Sequence, residues 1–313
     1  MSADSVPTPT FQAFHFNDID EFKGAVRKYR VDFTPLARKI SVRQSILNLA
    51  DFDIVAVQSF PRMADTVLAP DCTAIGLTMD DNDLVRLNGV DVDGPMIGIG
   101  HGGHQFSILE RTGGRLAAIN FTPEIHDRGW PEPSLHFSMF LTAMPELQKL
   151  RLVVSEILKL ASTSTDALSV PATVAGMKES LLAAIDQAFE SGRLPKHARS
   201  LHSVRAFTIL QKIEAVLAED LKKPIYSSEL AVAIGVSVRT LHDVIMQFRG
   251  MSLHRYLRVK RLWLVRRRLL AGEISVKACA LEYGFWHLSD FSTSYRSHFG
   301  ETPSETLAKA RVP

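Results

Sequence analysis

The sequence has 313 residues, 46% of them hydrophobic and 22% charged, which is typical of a soluble globular protein with room for two domains. It has no run of about 18 uncharged apolar residues. Its start, MSADSVPTPT, has neither the basic nor the apolar part of a secretory leader, so we expect a cytoplasmic protein without a membrane partner. Cys72 and Cys279 lie far apart in sequence, which argues against a disulfide framework or a thiolate zinc site and predicts two small buried residues.

The first part of the chain, from about Phe11 to Ile125, alternates short apolar runs with turn residues. Four of these runs are residues 54–57, 74–77, 96–99 and 116–119. Asn88-Gly89 and Gly113-Gly114 are among the turn dipeptides between them. This pattern predicts β-strands joined by tight turns, and hence a sandwich or a barrel.

Helical spacing replaces the strand pattern between about residues 138 and 192. Two apolar stripes have this spacing: Leu147, Leu150, Val154, Ile157, Leu158 and Ala161, then Met177, Leu181, Leu182, Ile185 and Phe189. They predict two amphipathic helices, the second beginning at Pro171, which either cover the β core or pair with a second chain. We therefore predict a domain over residues 1–192, a polar linker over 193–204 and a C-terminal domain over 205–310.

The net charge differs between the two parts of the chain. Residues 201–313 contain 17 Lys and Arg against 10 Asp and Glu, a net charge of +7, whereas residues 1–200 have a net charge of −5. This asymmetry suggests that the C-terminal third contacts a polyanion, and the alternative is a solvated basic surface.

A helix-turn-helix pattern is present near residues 228–247. Ser227 or Ser228 is suited to cap a short helix, Gly235 to form a sharp turn, and Ser237 to cap a second helix. The outward positions of the second helix are Val238, Arg239, His242 and Asp243. This is the geometry that places side chains in a DNA major groove.

The pattern recurs near residues 276–298, with Gly284 at the turn. The inward face of the second helix there has Leu288 or Phe291, then Tyr295 and Phe299. Outward positions there are His287, Ser289, Ser292, Thr293 and Arg296. A long basic helix over 253–270 separates the two motifs, and we interpret its run of arginines at 266–268 as a solvated face.

Two such motifs joined by a basic helix resemble the DNA-binding domain of the AraC/XylS family of bacterial transcription regulators. The resemblance extends over residues 205–310 and rests on Leu230-Ala231, Gly235-Val236-Ser237, Leu241, Phe248, Tyr256-Leu257, Arg261-Leu262, Leu269-Leu270, Ala280, Gly284-Phe285, Ser289, Phe291, Tyr295, Phe299-Gly300 and Pro303. Asp243 and Thr306-Leu307 depart from the family pattern. Residues 14–22 and the strands after them are similar to the cupin-like sensor domain of part of the family.

The predicted fold is thus α+β, with an N-terminal cupin-like β sandwich or barrel closed by two helices and an all-α domain with two helix-turn-helix motifs. The predicted DNA contacts are base contacts from Arg239, His242, Ser289, Ser292 and Thr293 and phosphate contacts from Arg296 and Thr240. The resemblance implies promoter DNA, RNA polymerase, an unidentified small effector and a second copy of the chain as partners, and an activator. The alternative is a regulator whose N-terminal domain is structural and senses no ligand.

Other chemistry is weakly supported by the sequence. His101 and His104, with His126 or His136, could be metal ligands, but the glycines between the first two favour a turn, and we predict neither a metal nor another cofactor. Arg111 and Arg115, with basic residues near Lys28, could bind an anion such as a cyclic dinucleotide. Their spacing resembles half of the signature of PilZ-type cyclic-di-GMP binders, but the accompanying Asp/Asn-x-Ser-x-x-Gly is absent. No nucleophile elbow, zinc-protease or kinase motif occurs, so we predict no enzymatic activity.

Overall fold

The computed structural model describes residues 9–26, 28–49, 51–81, 85–122, 124–125, 127–132, 136–190, 192–193, 201–219, 225–272 and 275–310. Backbone contacts divide the chain into two compact units. The first holds residues 1–33, 40–87 and 91–199, and the second holds residues 34–39, 88–90 and 200–313.

The N-terminal unit is built mainly from β-strands. In the part of the chain that the structure describes they are β1 (Thr10–Phe16), β2 (Tyr29–Pro35), β3 (Val42–Leu49), β4 (Phe52–Gln58), β5 (Arg62–Leu68), β6 (Thr73–Thr78), β7 (Val85–Leu87), β8 (Val90–Asp91), β9 (Met96–Gly100), β10 (Gln105–Glu110), β11 (Arg115–Phe121) and β12 (Ser138–Leu141). One sheet has the order β1-β3-β4-β11-β6-β9-β12 and the other the order β2-β5-β10-β7-β8. The predicted N-terminal β region is confirmed and consists of two sheets, and the four apolar runs lie in β4, β6, β9 and β11.

Burial explains why the central strands of the larger sheet are so apolar. Ile119 of β11 lies opposite Ile54 of β4 on one side and Ile75 of β6 on the other. All three are fully buried. Such a row excludes water from the middle of the sheet and supplies much of its stability through burial of apolar area.

Two elements of this unit differ from the sequence prediction. A helix, α1 (Ile19–Ala25), follows β1 because the Asp18 side chain accepts hydrogen bonds from the first backbone amides and Phe22 is buried. Strand β12 occupies residues where helical spacing was expected to have begun. It pairs with β9 and buries Phe140, so the helices begin only at Met144.

The two amphipathic helices are present as α2 (Met144–Thr163) and α3 (Pro171–Glu190), with a 3-10 helix (Thr165–Ser169) between them. Their buried residues belong to the same core cluster as Leu47 and Ile54 of the larger sheet. The apolar stripes therefore cover the β core of their own chain. Both cysteines are buried free thiols, as predicted, and burial raises the pKa of each to about 11.

The C-terminal unit is helical. Its helices are α4 (Leu201–Glu219), α5 (Ser227–Ile234), α6 (Val238–Arg249), α7 (Leu253–Leu270), α8 (Val276–Glu282), α9 (Leu288–Phe299) and α10 (Pro303–Ala310). Helix α4 begins inside the predicted linker, of which residues 194–200 lie outside the described part of the chain. None of the helices in the described ranges combines the length and apolar composition that a membrane-spanning helix needs.

Candidate functional site

The first helix-turn-helix motif consists of α5 and α6. Gly235 ends α5 with φ of 77°, a left-handed backbone conformation that is strained for residues with a side chain. The Ser237 hydroxyl caps α6 by accepting a 3.0 Å hydrogen bond from the Thr240 amide, as predicted. The predicted serine cap of α5 is wrong, because the helix already begins at Ser227 and Tyr226 occupies the cap position without a side-chain hydrogen bond.

Helix α6 separates an apolar inner face from a charged outer face. Leu241, Val244, Ile245 and Phe248 are buried. Arg239, His242 and Asp243 are exposed, and the Arg239 Nε lies 3.9 Å from Asp243 Oδ2. Thr240 is only partly exposed, because its hydroxyl lies 2.9 Å from that of Ser237.

The second motif consists of α8 and α9, with Gly284 at the turn and φ of 78°. Phe291, Tyr295 and Phe299 are buried, as predicted. The exposed face carries Ser289, Ser292, Thr293 and Arg296. Trp286 was not selected from the sequence; it lies two residues before this helix begins, and its exposed fraction is 67%. A large aromatic residue at the entry to an outward-facing helix was the available signal.

Helix α7 connects the motifs. Ser252 caps it by accepting a hydrogen bond from the Arg255 amide, and its 18 residues give a length of about 27 Å. The interpretation of its arginine run as a solvated face is wrong for Arg266. This side chain lies 2.6 Å from Glu301 and over the ring of Phe299, and only Arg267 of the run is exposed.

A partly buried glutamate beside each motif joins neighbouring helices through ion pairs. Glu214 of α4 lies 2.7 Å from Arg249 and 3.1 Å from Lys260, and it accepts a hydrogen bond from the Tyr256 hydroxyl. Burial alone would raise the pKa of Glu214, but the charges of Lys260 and Arg249 hold it below its usual range.

Glu301 has the corresponding role beside the second motif. It pairs with Arg266 and Lys309 and accepts a 2.8 Å hydrogen bond from Thr306, whose hydroxyl also accepts one from Tyr295. Burial opposes ionisation here as well, yet hydrogen bonds from Lys309, Thr306 and Arg266 hold the pKa of Glu301 below its usual range.

A second candidate site is a cavity of about 280 Å³ inside the N-terminal unit. Its walls are mainly aliphatic and aromatic side chains from both sheets and from α1. Few polar groups reach it, which is the usual composition of a small-molecule site. Sequence reasoning did not identify this cavity, because its wall is assembled from strands that are distant in the chain.

Two ion pairs lie at the cavity. Lys28 Nζ is 3.6 Å from Asp53 Oδ2, and the Asn120 amide donates a 2.6 Å hydrogen bond to the other oxygen of Asp53. Arg62 Nη2 is 3.0 Å from Glu110 Oε1. Burial raises the pKa of Asp53, against the lowering effects of Asn120 and Lys28. In the sequence, these ion pairs were indicated by two charged residues in otherwise apolar strands, Asp53 in β4 and Arg62 at the start of β5.

Two buried side chains of the cavity wall have spare hydrogen-bonding capacity. Gln44 is 4% exposed and its Oε1 has no hydrogen-bond partner in the described part of the chain. Arg62 is 6% exposed, and its Nε and Nη1 likewise have none. The guanidinium carbon of Arg62 lies 5.0 Å from the centre of the Phe33 ring.

Two of the histidines and arginines considered from the sequence, His101 and Arg115, form ion pairs within the protein. The predicted glycine turn is confirmed at residues 102–103, and His101 Nδ1 lies 2.7 Å from Glu124. His126 lies outside the described residues, and in the ranges that are described no group of three or more metal-ligating side chains is present. Arg115 is paired with Asp80 on the exposed part of the sheet.

Comparison with known proteins identifies the C-terminal unit. A family model described as a helix-turn-helix domain matches residues 230–309. The XylDLEGF operon transcriptional activator 1 of Pseudomonas putida is 34% identical over 105 residues, which are 33% of this chain and 32% of that protein. The transcriptional activator NphR of a Rhodococcus species is 33% identical over 37% of this chain and 34% of its own length. The match thus spans about a third of these relatives.

A solved structure of a probable AraC family transcriptional regulator from Rhodopseudomonas palustris is 32% identical, covers 33% of this chain and 98% of its own, and has a TM-score of 0.32. The resemblance found in the sequence agrees with the two helix-turn-helix motifs and the basic helix between them. It also agrees with the matches to transcriptional activators. The C-terminal helical domain of this chain belongs to the AraC/XylS family of DNA-binding domains.

Proposed function

We propose that the chain is a sequence-specific, effector-responsive transcription activator that binds promoter DNA through both helix-turn-helix motifs and is not an enzyme. The observation that carries this proposal is the pair of polar outward faces on α6 and α9, each supported by a buried apolar face. The net charge of +7 over residues 201–313 supplies the sequence-independent attraction to phosphate.

The base contacts are assigned to the side chains that project from these two faces. Arg239 and His242 of α6 are suited to a base edge, with Arg239 on guanine, and Ser289, Ser292 and Thr293 of α9 are suited to weaker hydrogen bonds. Arg296 is assigned to phosphate. Thr240 is assigned to phosphate too, although its hydroxyl already contacts Ser237.

The N-terminal unit is proposed to be the sensor, with the cavity between its sheets as the effector site. A largely apolar cavity with a few buried polar groups fits a small organic molecule better than it fits a cyclic dinucleotide, whose phosphates need several free cations. The competing function is a regulator with a structural N-terminal domain. Thermal stabilisation of the chain by a small molecule separates the two.

A second copy of the chain and RNA polymerase complete the proposed set of partners. The buried stripes of α2 and α3 are occupied by the β core, so a dimer would use the opposite side of α2, where Leu152 and Leu160 are exposed. Leu152→Lys should then shift the chain towards monomer in sedimentation experiments, whereas the matched change Val170→Lys outside α2 should not.

The central experiment is selection of bound sequences from a random double-stranded DNA library by the full-length chain. Two motifs on one face of the duplex should enrich a site with two short elements about 34 Å, or one helical turn, apart. Affinity for that site should fall steeply as salt rises. Failure to enrich any sequence, or salt-independent binding, would contradict the proposal.

A further inference from the structure

The charges at the cavity restrict the chemistry of its ligand. Among the described residues that line it, the charged side chains are Lys28, Asp53 and Arg62. Lys28 is paired with Asp53, and Arg62 is paired with Glu110 behind the wall. The four charges sum to zero. An ionic ligand would therefore add an uncompensated charge to a largely apolar space or would have to break one of the two pairs.

The hydrogen-bonding groups restrict it further. Gln44 of β3 and Arg62 of β5 lie on different sheets, both line the cavity, and both have buried polar atoms without a hydrogen-bond partner among the described residues. Buried polar groups in native proteins are generally paired. Gln44 Oε1 needs a donor, and the free Arg62 N–H groups need an acceptor without a second negative charge, because Glu110 already neutralises the guanidinium.

The volume gives the scale of the ligand. An apolar cavity of about 150 Å³ holds one benzene ring. The cavity here, at about 280 Å³, is nearly twice as large and has room for two fused rings or an aliphatic molecule of that size.

We infer that the cavity binds an uncharged, mainly apolar molecule about the size of two fused rings, whose polar groups accept a hydrogen bond from Arg62 and donate one to Gln44. This inference rests on the proposed function, in which the molecule is the effector. It excludes carboxylates, phosphates and amines from that role, whatever their ring structure.

The test is a pair of probes that share a shape and differ in charge, titrated calorimetrically into the full-length chain at pH 7.5. 2-Naphthamide offers both an acceptor and a donor, and 2-naphthoate replaces the amide with a carboxylate. The amide should bind at least about tenfold more tightly, because the carboxylate would bring an unpaired charge into the cavity. Equal or tighter binding of 2-naphthoate, or no binding of either probe, would overturn the inference.

A matched pair of variants assigns the binding to the cavity. Gln44→Met preserves the length of the side chain and removes its acceptor, so 2-naphthamide should bind about 3- to 10-fold more weakly. Gln58→Met makes the same change on the neighbouring strand at an exposed position and should leave binding unchanged. Unsubstituted naphthalene should bind both variants like the parent chain, which also verifies that they fold. An equal loss of amide binding in both variants, or none in Gln44→Met, would contradict the assignment.

Failure of this inference is distinguishable from failure of the proposed function. The same protein samples are assayed for binding to the selected DNA site with and without 2-naphthamide. Absence of DNA binding would refute the regulator, whereas DNA binding with a preference for 2-naphthoate would refute only the uncharged class of ligand.

Discussion

The two helix-turn-helix motifs share a backbone design and differ in their outward chemistry. Both turn at a glycine with positive φ, and both bury an apolar face on the second helix. The face of α6 offers Arg239 and His242 for base contacts, whereas that of α9 offers the hydroxyls of Ser289, Ser292 and Thr293 beside Arg296. Because a bidentate guanidinium discriminates between bases far better than a single hydroxyl, the two motifs are suited to unequal parts in reading DNA.

The ion pairs beside the two motifs also differ, in how deeply the cations of each pair are buried. Glu214 is paired with a fully buried arginine, Arg249, whereas the Arg266 side chain that pairs with Glu301 is 21% exposed. Lys309, the other partner of Glu301, is largely exposed. The first motif is therefore held by the more deeply buried cations, and it also carries the stronger candidate for base recognition.

The largest expected effect is therefore on stability. Arg249→Leu would remove the fully buried partner of the partly exposed Glu214 and leave Lys260 beside it. It should destabilise α4, α6 and α7 by about 3 kcal/mol, the lower end of the range for breaking a buried ion pair. Arg266→Leu should cost less, since the Arg266 side chain is 21% exposed whereas that of Arg249 is fully buried. Hydrogen exchange of the helix amides in the full chain measures both. An equal loss of stability in Arg249→Leu and Arg266→Leu would show that the difference in burial between the two arginines has no energetic consequence.

Acidification should weaken the same contacts. The pKa of Glu214 is lowered in the folded chain, so its contribution to stability is fully present above the unfolded pKa of about 4.3 and is lost as the pH falls below that value. The stability difference between the parent chain and Glu214→Gln should therefore shrink progressively below pH 4.3. Exchange rates of α4 amides across pH 3 to 6, corrected for intrinsic exchange, test it; a difference that grows on acidification has the wrong sign.

Next in size is the effect of Arg239→Ala on DNA recognition. Loss of a bidentate contact should cost about 1 to 3 kcal/mol of specific binding and relax the preference at one base pair. Arg267→Ala, which removes an exposed arginine from α7, is the matched control for charge alone. Base-substitution profiles of the selected site measure the preference. If Arg239→Ala retains the parent profile, Arg239 does not read a base.

Arg296→Ala should have a smaller and sequence-independent effect. Removal of one phosphate contact should weaken all sequences alike and reduce the salt slope of binding by about 1. Thr293→Ala, on the same exposed face, should leave the slope unchanged. Anisotropy titrations at several salt concentrations measure this slope. A change of base preference in Arg296→Ala would show that Arg296 contacts a base edge and not a phosphate.

The motifs were predictable because their determinants are local. A glycine such as Gly235, a capping residue such as Ser237 and apolar residues three or four apart all lie within one or two helical turns. The cavity was not predictable, because Gln44 and Arg62 face it from strands of different sheets. Nor was the pairing of Arg266, whose partner Glu301 lies 35 positions further along the chain.

Capping provides the smallest test of the comparison between the motifs. The Ser237 hydroxyl satisfies the Thr240 amide at the start of α6, whereas His287 occupies the cap position of α9 without a side-chain hydrogen bond. Ser237→Ala should therefore destabilise its helix by about 1 kcal/mol, and His287→Ser should stabilise α9 by a similar or smaller amount.

Both changes are read from the exchange of amides in the first turns of α6 and α9. The Ser237 backbone is already extended and its side chain exposed, so truncation to alanine removes the acceptor without opening a cavity. His287 is exposed and extended too, which is the backbone that a serine cap requires. Opposite shifts in the two helices would confirm that the motifs differ in their capping. If His287→Ser leaves α9 unchanged, its first-turn amides are already satisfied by water, and the asymmetry between the motifs is confined to their side-chain faces.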